Sequence, residues 1–202
     1  MNGRGLELVF FRASEYFDPA MVIDGGVVIL RLPEAGDYPA WAALRHASRD
    51  FLTPWEPTWP HDDLTRAAFR YRIKRYHRDL REDDSYAFFI IRSRDQRLAG
   101  GLTLSNVRRG VAQSASLGYW IGKDFARQGL MTAAVRAVIP FAFDTLKLHR
   151  LEAACLPSNA ASLALLEHTG FAEEGFARSY LKINGRWQDH VLFAIVADDP
   201  RP

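Results

Sequence analysis

Apolar positions recur with two different periods along this chain, and the periods predict which segments are strands and which are helices. Runs of β-branched and aromatic residues, or of alternating apolar positions, predict seven strands. They are residues 27–32, 86–92, 98–107, 112–121, 150–156, 171–180 and 187–196. Three of these follow one another with short turns between residues 86 and 121, which favours an antiparallel meander. Asn184 and Gly185 separate the last two runs and favour a tight hairpin.

Four segments carry the helical period instead. They are residues 38–48, 63–80, 129–146 and 159–169. The third contains Pro140, whose ring removes the hydrogen bond to the Arg136 carbonyl and should kink the helix. Ser158 or Asn159 is placed to cap the fourth helix, and Gly170 is placed to end it. Seven strands interspersed with about four helices predict one mixed α/β domain.

Size and composition agree with one domain. The 202 residues are 48% hydrophobic, which is enough for a substantial core. Residues 1–25 show no clear period, so we expect an N-terminal arm of unassigned role before a domain at residues 26–202. No run approaches the roughly 18 apolar residues of a membrane span, and the start lacks a signal pattern, so a cytoplasmic protein is expected. The single cysteine, Cys155, excludes an internal disulfide or a multi-cysteine metal site, and no metal is expected.

One predicted helix carries a basic stripe. Arg66, Arg70, Lys74 and Arg78 recur every four residues, opposite an apolar face. Such a face is usually only solvated. The alternative is attraction to an acidic partner such as ribosomal RNA. The net charge is only +2, so the stripe, rather than the total charge, supports this alternative.

A strand, a tight turn and a helix start follow one another at residues 117–132. A helix start offers unpaired backbone N–H groups and the positive end of the peptide dipole. Gly129 has no Cβ, so an anionic ligand can approach the backbone there. The stretch is therefore a candidate site for phosphate or pyrophosphate, and an ordinary strand–helix connection is the alternative.

A proline-rich segment at residues 51–60 is a second candidate wall of a site. Its three prolines prevent a continuous helix or a central strand. Two tryptophans lie close to Glu56, and a carboxylate between aromatic rings in a rigid loop suggests a pocket wall. The alternative is a loop that covers the core and leaves Glu56 exposed.

The order of these elements is similar to that of the GNAT acyltransferases. The residues that carry the resemblance run from 117 to 121 and from 127 to 132, continue at 159–162 and close at 168–171. The resemblance implies a single α/β (α+β) domain. Its seven-stranded, mostly antiparallel sheet would be flanked by about four helices, with strands four and five splayed apart.

Within that superfamily, three further segments resemble the ribosomal-protein alanine N-acetyltransferases. They are residues 51–57, 175–181 and 184–191. Enzymes of that subgroup acetylate the N-terminal alanine of a small-subunit ribosomal protein. The resemblance therefore implies a protein N-terminus as acceptor, and a ribosome contact through the basic stripe is a further possibility. The chain would act as a monomer or a homodimer.

The resemblance also implies acetyl-CoA as donor, with its thioester in the gap between strands four and five. The thioester carbonyl would accept a strand N–H, the pyrophosphate would bind the glycine turn, and the next helix start would face the pantetheine and sulfur. The residues expected to bind acetyl-CoA are Tyr119, Trp120, Ile121, Arg127, Gln128, Gly129, Leu130, Met131, Thr132, Asn159 and Ser162.

The sequence departs from the superfamily pattern at several positions. Ala126 and Met131 occupy the ends of the turn motif, where backbone N–H groups should still bind phosphate. Ser116 replaces a strand carboxylate that often serves as base, and Leu166 stands where many relatives place an acidic tyrosine. The usual base and acid are thus both unassigned.

Other residues are candidates for these roles. An α-amino group has an unperturbed pKa of about 7.7–8.0, so it needs less help from a base than lysine. Glu56 is the first choice for a catalytic base and Glu174 the second, whereas Glu152 lies in mid-strand. Ser162 is the candidate acid that protonates the departing thiolate. His190 could also touch substrate, as could its neighbour Asp189.

The leading hypothesis is direct acetyl transfer from acetyl-CoA to a protein N-terminus. Cys155 lies in an apolar strand and is expected to be an inert, buried thiol. A small-molecule amine, such as an aminoglycoside or polyamine, is the alternative acceptor. The hypothesis from another class is a ribosome- or RNA-binding factor with weak or no catalysis.

Overall fold

The computed structural model describes residues 21–201, and one eight-stranded sheet runs through them. The strands are β1 (Val22–Asp24), β2 (Val28–Arg31), β3 (Tyr86–Arg92), β4 (Arg97–Arg108), β5 (Ser114–Ile121), β6 (Arg150–Cys155), β7 (Ala172–Ile183) and β8 (Arg186–Val196). Their order across the sheet is β1-β2-β3-β4-β5-β6-β8-β7. The pair β5–β6 is parallel and the other pairs are antiparallel. The predicted fold class and meander are confirmed.

The sheet has one strand more than the seven predicted. The additional strand is β1, which pairs with β2 from Val22–Arg31 to Asp24–Ile29. Three residues are too few for an alternating pattern to stand out in a sequence, so β1 fell within the stretch assigned to the arm. Residues 1–20 lie outside the described residues, and the N-terminal arm stays a prediction.

Five helices flank the sheet. They are α1 (Tyr38–Ala47), α2 (Arg49–Leu52), α3 (Arg66–Arg81), α4 (Leu130–Pro140) and α5 (Ala160–His168). The four predicted helices are all present, and the extra one, α2, is a single turn. Asn159 is the residue that caps α5, since its side chain accepts a hydrogen bond from the Ser162 N–H at 3.1 Å. No helix within residues 21–201 is long and apolar enough to cross a membrane.

The predicted disturbance at Pro140 takes the form of a wider helical turn. Helix α4 ends at this residue and continues as a π-helical turn over Phe141–Thr145. Proline has no N–H to donate to the preceding turn, so the regular ladder stops there. Leu130, Ala134 and Val138 of the predicted apolar face are buried.

The sheet separates two apolar layers. Helices α4 and α5 cover one face, where Val138, Leu166 and Phe193 belong to the main core. Helices α1 and α3 cover the other face, where the rings of Trp41 and Phe69 lie 4.8 Å apart. The four residues of the basic stripe on α3 are exposed, as its pattern predicted.

Candidate active site

Strands β5 and β6 diverge along their length and leave a gap in the sheet. They pair only at Ser114–Arg150, Ala115–Leu151 and Ser116–Glu152. Beyond Ser116, β5 continues to pair with β4 as far as Ile121 and has no ladder partner on its other side. The predicted splay of the fourth and fifth strands is therefore confirmed, with the extra β1 making them β5 and β6.

The turn after β5 leads into a helix start that no side chain of the described residues caps. Arg127 and Gly129 have left-handed backbones, with φ of 58° and 73°. The first backbone bond into α4 is donated by Ala133 to the Gly129 carbonyl at 3.0 Å, so the preceding N–H groups lack helical partners. A Cβ built at Gly129 would meet nothing within 4 Å. This open, N–H-rich turn fits an anionic group such as a pyrophosphate.

The Gln128 side chain has a structural role in this turn. Its Nε2 donates to the Asp124 carbonyl at 2.7 Å, and its Oε1 accepts from Arg92 at 3.1 Å. Arg92 is buried and also donates to both carboxylate oxygens of Asp95. The side chain therefore braces the turn.

Tyr119 and Ser162 meet across the open side of the gap. Tyr119 lies on β5, and Ser162 lies in the first turn of α5, which follows β6. Their hydroxyl oxygens are 2.6 Å apart. Burial raises the pKa of the Tyr119 phenol well above its ordinary value, against the opposite influence of the Ser162 hydrogen bond. The phenol is therefore protonated at neutral pH and can donate to Ser162.

Cys155 is also next to Ser162, at the end of β6. It is buried, and burial raises the pKa of its thiol, although a hydrogen bond with Ser162 acts the other way. A protonated, buried thiol is a poor nucleophile. The expected burial of Cys155 is confirmed, and its inertness stays a prediction.

Glu56 lies on the other face of the sheet, in a dense set of contacts. Its two carboxylate oxygens accept one hydrogen bond each from Arg45, both at 2.7 Å. The Trp59 indole N–H donates to Oε2 at 2.6 Å. The Arg45 guanidinium also lies 4.9 Å from the ring centroid of Trp120, the neighbour of Tyr119. Glu56 is thus half-buried and fully hydrogen-bonded, and its assignment as general base stays a prediction.

The β7–β8 turn closes against the proline-rich segment. The Asn184 N–H donates to the Glu56 carbonyl at 2.9 Å. Asn184 and Gly185 have φ of 44° and 79°, the conformation that a two-residue hairpin favours. The predicted hairpin is confirmed, and it forms a side of the same region as Glu56.

Glu174 and Glu152 belong to an ion-pair network on β6 and β7. Arg150 donates to both oxygens of Glu174 and, through Nε, to Glu152 at 2.9 Å. Arg108 binds the other oxygen of Glu152 at 2.7 Å. The Arg150 guanidinium holds the pKa of Glu174 below its ordinary value. Glu174 is a tightly paired, exposed carboxylate, and its catalytic role also stays a prediction.

Asp189 and His190 make local contacts on β8. The Asp189 carboxylate accepts from the Ser179 N–H at 2.8 Å. His190 is buried, with its Nδ1 3.0 Å from the Gln188 carbonyl and the Tyr180 ring edge-on to it. These contacts stabilise the hairpin, and a contact with substrate stays a prediction.

Two functional groups escaped the sequence reasoning. Arg45 occupies the apolar stripe of α1 with Trp41, four residues earlier, and a charge on a buried face was the available signal. The Tyr119 hydroxyl was overlooked because only its backbone was considered, and alternation along β5 would have placed its side chain opposite that of Trp120. Leu166, at the position of the acidic tyrosine of many relatives, is fully buried.

Within residues 21–201, no three His, Cys, Asp or Glu side chains come together in a way that could hold a metal ion. The gap, the uncapped helix start and the Ser162 hydroxyl instead offer hydrogen bonds to an organic ligand that carries phosphate. Glu56 of the proline-rich segment is already paired with Arg45. The arrangement is suited to binding and aligning two substrates.

Comparison with known proteins agrees with this geometry. A family model described as an acetyltransferase (GNAT) domain matches residues 28–172. The probable N-acetyltransferase YjcK of Bacillus subtilis is 38% identical over 178 residues, 88% of this chain and 98% of that protein. The ribosomal protein uS5-alanine N-acetyltransferase of Escherichia coli is 33% identical over 168 residues, covering 82% of this chain and 87% of that protein. The solved structure of Mycobacterium smegmatis RimJ in complex with CoA-disulfide is 34% identical with a TM-score of 0.83, covering 89% of this chain and 88% of that one. This chain belongs to the GNAT family of N-acetyltransferases, which use acetyl-CoA as co-substrate.

Proposed function

We propose that this protein acetylates the N-terminal α-amino group of a protein, and that the N-terminal alanine of a ribosomal protein is its acceptor. The relatives that act on uS5 support the acceptor class. The observation that carries the proposal is the closure of the Glu56 loop against the β7–β8 turn. In this proposal, the closed loop and turn form one wall of the acceptor side of the gap. A ribosomal acceptor would place the reaction in the cytoplasm.

In this proposal, backbone N–H groups make most of the contacts that bind acetyl-CoA. The N–H groups at the start of α4 hold the pyrophosphate, with Arg127, Gly129 and the first helical turn supplying most of the contacts. A free N–H of β5 near Tyr119–Ile121 polarises the thioester carbonyl, as in an oxyanion hole. Asn159 orders the start of α5 and so fixes the place of Ser162.

Acetyl-CoA supplies an activated acetyl group, and the chain aligns this group with the amine. One proton must leave the amine, and one must reach the departing sulfur. Ser162 gives its hydroxyl proton to the departing sulfur and takes the proton of the Tyr119 phenol in its place, and the phenolate regains a proton from water. On the amine side, an α-amino group is partly neutral at pH 7. A carboxylate that orients it, for which Glu56 and Glu174 are the predicted candidates, is then sufficient.

A ribosome contact is a second part of the proposal. Arg66, Arg70, Lys74 and Arg78 lie exposed on α3, on the helix layer next to the acceptor loop. Exposed cations attract phosphate backbones in a salt-dependent way. This contact would guide the acceptor towards the gap without taking part in the chemistry.

The test is CoA release measured against two acceptor panels, one of peptides with alanine or serine at the N-terminus and one of polyamines and aminoglycosides. We expect turnover with alanine-starting peptides and its loss when their α-amino group is blocked. Turnover with small amines alone would show that the acceptor is a small molecule and not a protein N-terminus. No binding of acetyl-CoA by calorimetry would contradict the proposal as a whole, and binding without turnover would favour a vestigial RNA-binding factor.

A further inference from the structure

The residues around Glu56 form one unit drawn from three parts of the chain. Helix α1 supplies Arg45, the proline-rich segment supplies Glu56 and Trp59, and β5 supplies Trp120. The Arg45 guanidinium carbon lies 3.9 Å from the ring centroid of Trp59 and 4.9 Å from that of Trp120. The guanidinium therefore touches both indoles while its two terminal nitrogens bind Glu56.

This unit is a fixed structure and not an ordinary surface ion pair. The Arg45 side chain is 9% exposed and that of Glu56 is 18% exposed. A bidentate pair shielded from water is stronger and more directional than an exposed one, and loss of either partner leaves a buried charge unpaired. The indole contacts add a cation–π attraction. The position of the proline-rich segment is thus determined by α1 and β5.

The same unit reaches the β7–β8 turn through the backbone. The Glu56 carbonyl accepts the Asn184 N–H at 2.9 Å, and a Cβ at Gly185 would lie 3.6 Å from Thr58 Oγ1. Glu56 therefore joins α1 through its side chain and the hairpin through its main chain. Trp120, which Arg45 touches, adjoins the gap on β5.

We propose that Arg45 and Glu56 are positioning residues that set the acceptor side of the gap by holding the proline-rich segment against the β7–β8 turn. The inference rests on the proposed function. Glu56 already accepts three hydrogen bonds, and taking the amine proton would weaken its pairing with Arg45. This role differs from the general base predicted from the sequence, and the two roles lead to different kinetics.

The experiment measures steady-state kinetics of Arg45→Lys and Glu56→Gln with an alanine-starting peptide. Lysine cannot reproduce the bidentate geometry, so the acceptor KM should rise about tenfold or more while the acetyl-CoA KM changes less than about twofold. The pH profile of kcat should stay unchanged in both variants, because a positioning Glu56 takes no proton from the amine. Arg49→Lys is the matched control, since Arg49 is exposed and lies 5.1 Å from the same Trp59 ring without binding Glu56.

Several results would overturn this inference. If Glu56→Gln lowers kcat, removes the acidic limb of the pH profile and leaves the acceptor KM unchanged, Glu56 is the base. If Arg45→Lys behaves as the wild type, the unit does not position the acceptor. Should Arg45→Lys fail to fold, Trp59→Phe decides, because it removes the indole N–H that donates to Glu56, keeps a smaller aromatic ring beside Arg45 and should still raise the acceptor KM. A wild type that binds acetyl-CoA but acetylates no amine would refute the proposed function together with this inference.

Discussion

At the residue scale, the proposed protonation of the leaving sulfur depends on two hydroxyl groups, those of Ser162 and Tyr119. Ser162 alone is a weak acid, as an unperturbed hydroxyl is. The Tyr119 phenol, whose pKa is raised by burial, lies 2.6 Å from Ser162 Oγ and can donate a hydrogen bond to it. The Ser162 hydroxyl proton is then free to point at the sulfur. In a sequence with Leu166 at the position of the usual tyrosine, β5 thus provides a phenol from another side of the site.

Removal of these hydroxyl groups should reveal their coupling. Ser162→Ala should lower kcat about tenfold or more, roughly 1.4 kcal/mol in the barrier. Tyr119→Phe should lower it less, by about 1 kcal/mol, the usual contribution of one neutral hydrogen bond. Because both act on the same proton, the double variant should resemble Ser162→Ala. Stopped-flow measurement of the chemical step in the four proteins tests this, and additive losses would show independent roles.

The first turns of α4 and α5 differ in whether a side chain caps them. Helix α5 is capped internally by Asn159, so its first turn is rigid and presents Ser162. Helix α4 starts at Gly129 without a side-chain cap, so its N–H groups remain for a ligand. The difference follows from local chemistry: asparagine carries its own acceptor, whereas glycine carries none and leaves space.

Gly129→Ala should affect both protein stability and acetyl-CoA binding, and a control variant separates the two effects. Its φ of 73° is left-handed, so alanine should lower the free energy of unfolding by about 1 kcal/mol. The new methyl would also enter the space from which a pyrophosphate approaches, and the acetyl-CoA Kd measured by calorimetry should rise. Gly110→Ala is the control, because Gly110 has φ of 65° and equally open surroundings at the opposite end of β5. An equal effect of both variants on Kd would contradict the assignment of the turn.

At the scale of the molecule, ion pairs join strands that are not neighbours in the sheet. Arg150 on β6 binds Glu174 on β7, although β8 lies between these strands in the sheet. It also binds Glu152, which Arg108 on β4 binds from the other side. This network ties β7, an edge strand, to the centre of the sheet at the closed end of the gap.

The network predicts a specific dependence of stability on pH. Arg150 lowers the pKa of Glu174 from its ordinary value of 4.5 in the folded protein, so the pair stabilises the fold above that value and the contribution is lost as pH falls through the lowered pKa. Glu174→Gln should therefore reduce the free energy of unfolding at pH 7, and the difference from wild type should shrink in acid. Urea unfolding at pH 7 and below pH 4 measures it, with the exposed Glu167→Gln as control. A difference that persists in acid would show that packing, rather than charge, is responsible.

The sequence by itself determined most of the elements of this protein and predicted a donor site at the turn before α4. Local signals were sufficient there: alternating or helical apolar periods, a glycine before α4, an asparagine before α5 and an Asn-Gly turn each act over a few residues. Within residues 21–201, the elements that were missed are short, β1 and the single turn of α2 among them, because elements of three or four residues complete no period.

The tertiary structure decided the acceptor side and the partners of every charged candidate. Arg45 and Glu56 are 11 residues apart, and Glu56 and Asn184 are separated by most of the domain. Tyr119 and Ser162 come from different elements. The partner of each carboxylate depends on how the helices and strands pack. Ion-pair partners do not recur with a sequence period, so the pattern of charges does not predict them. For that reason the local signals that predict a donor site can be recognised in the sequence, whereas the pairing of Glu56 with Arg45 and Trp59 appears only in the folded molecule.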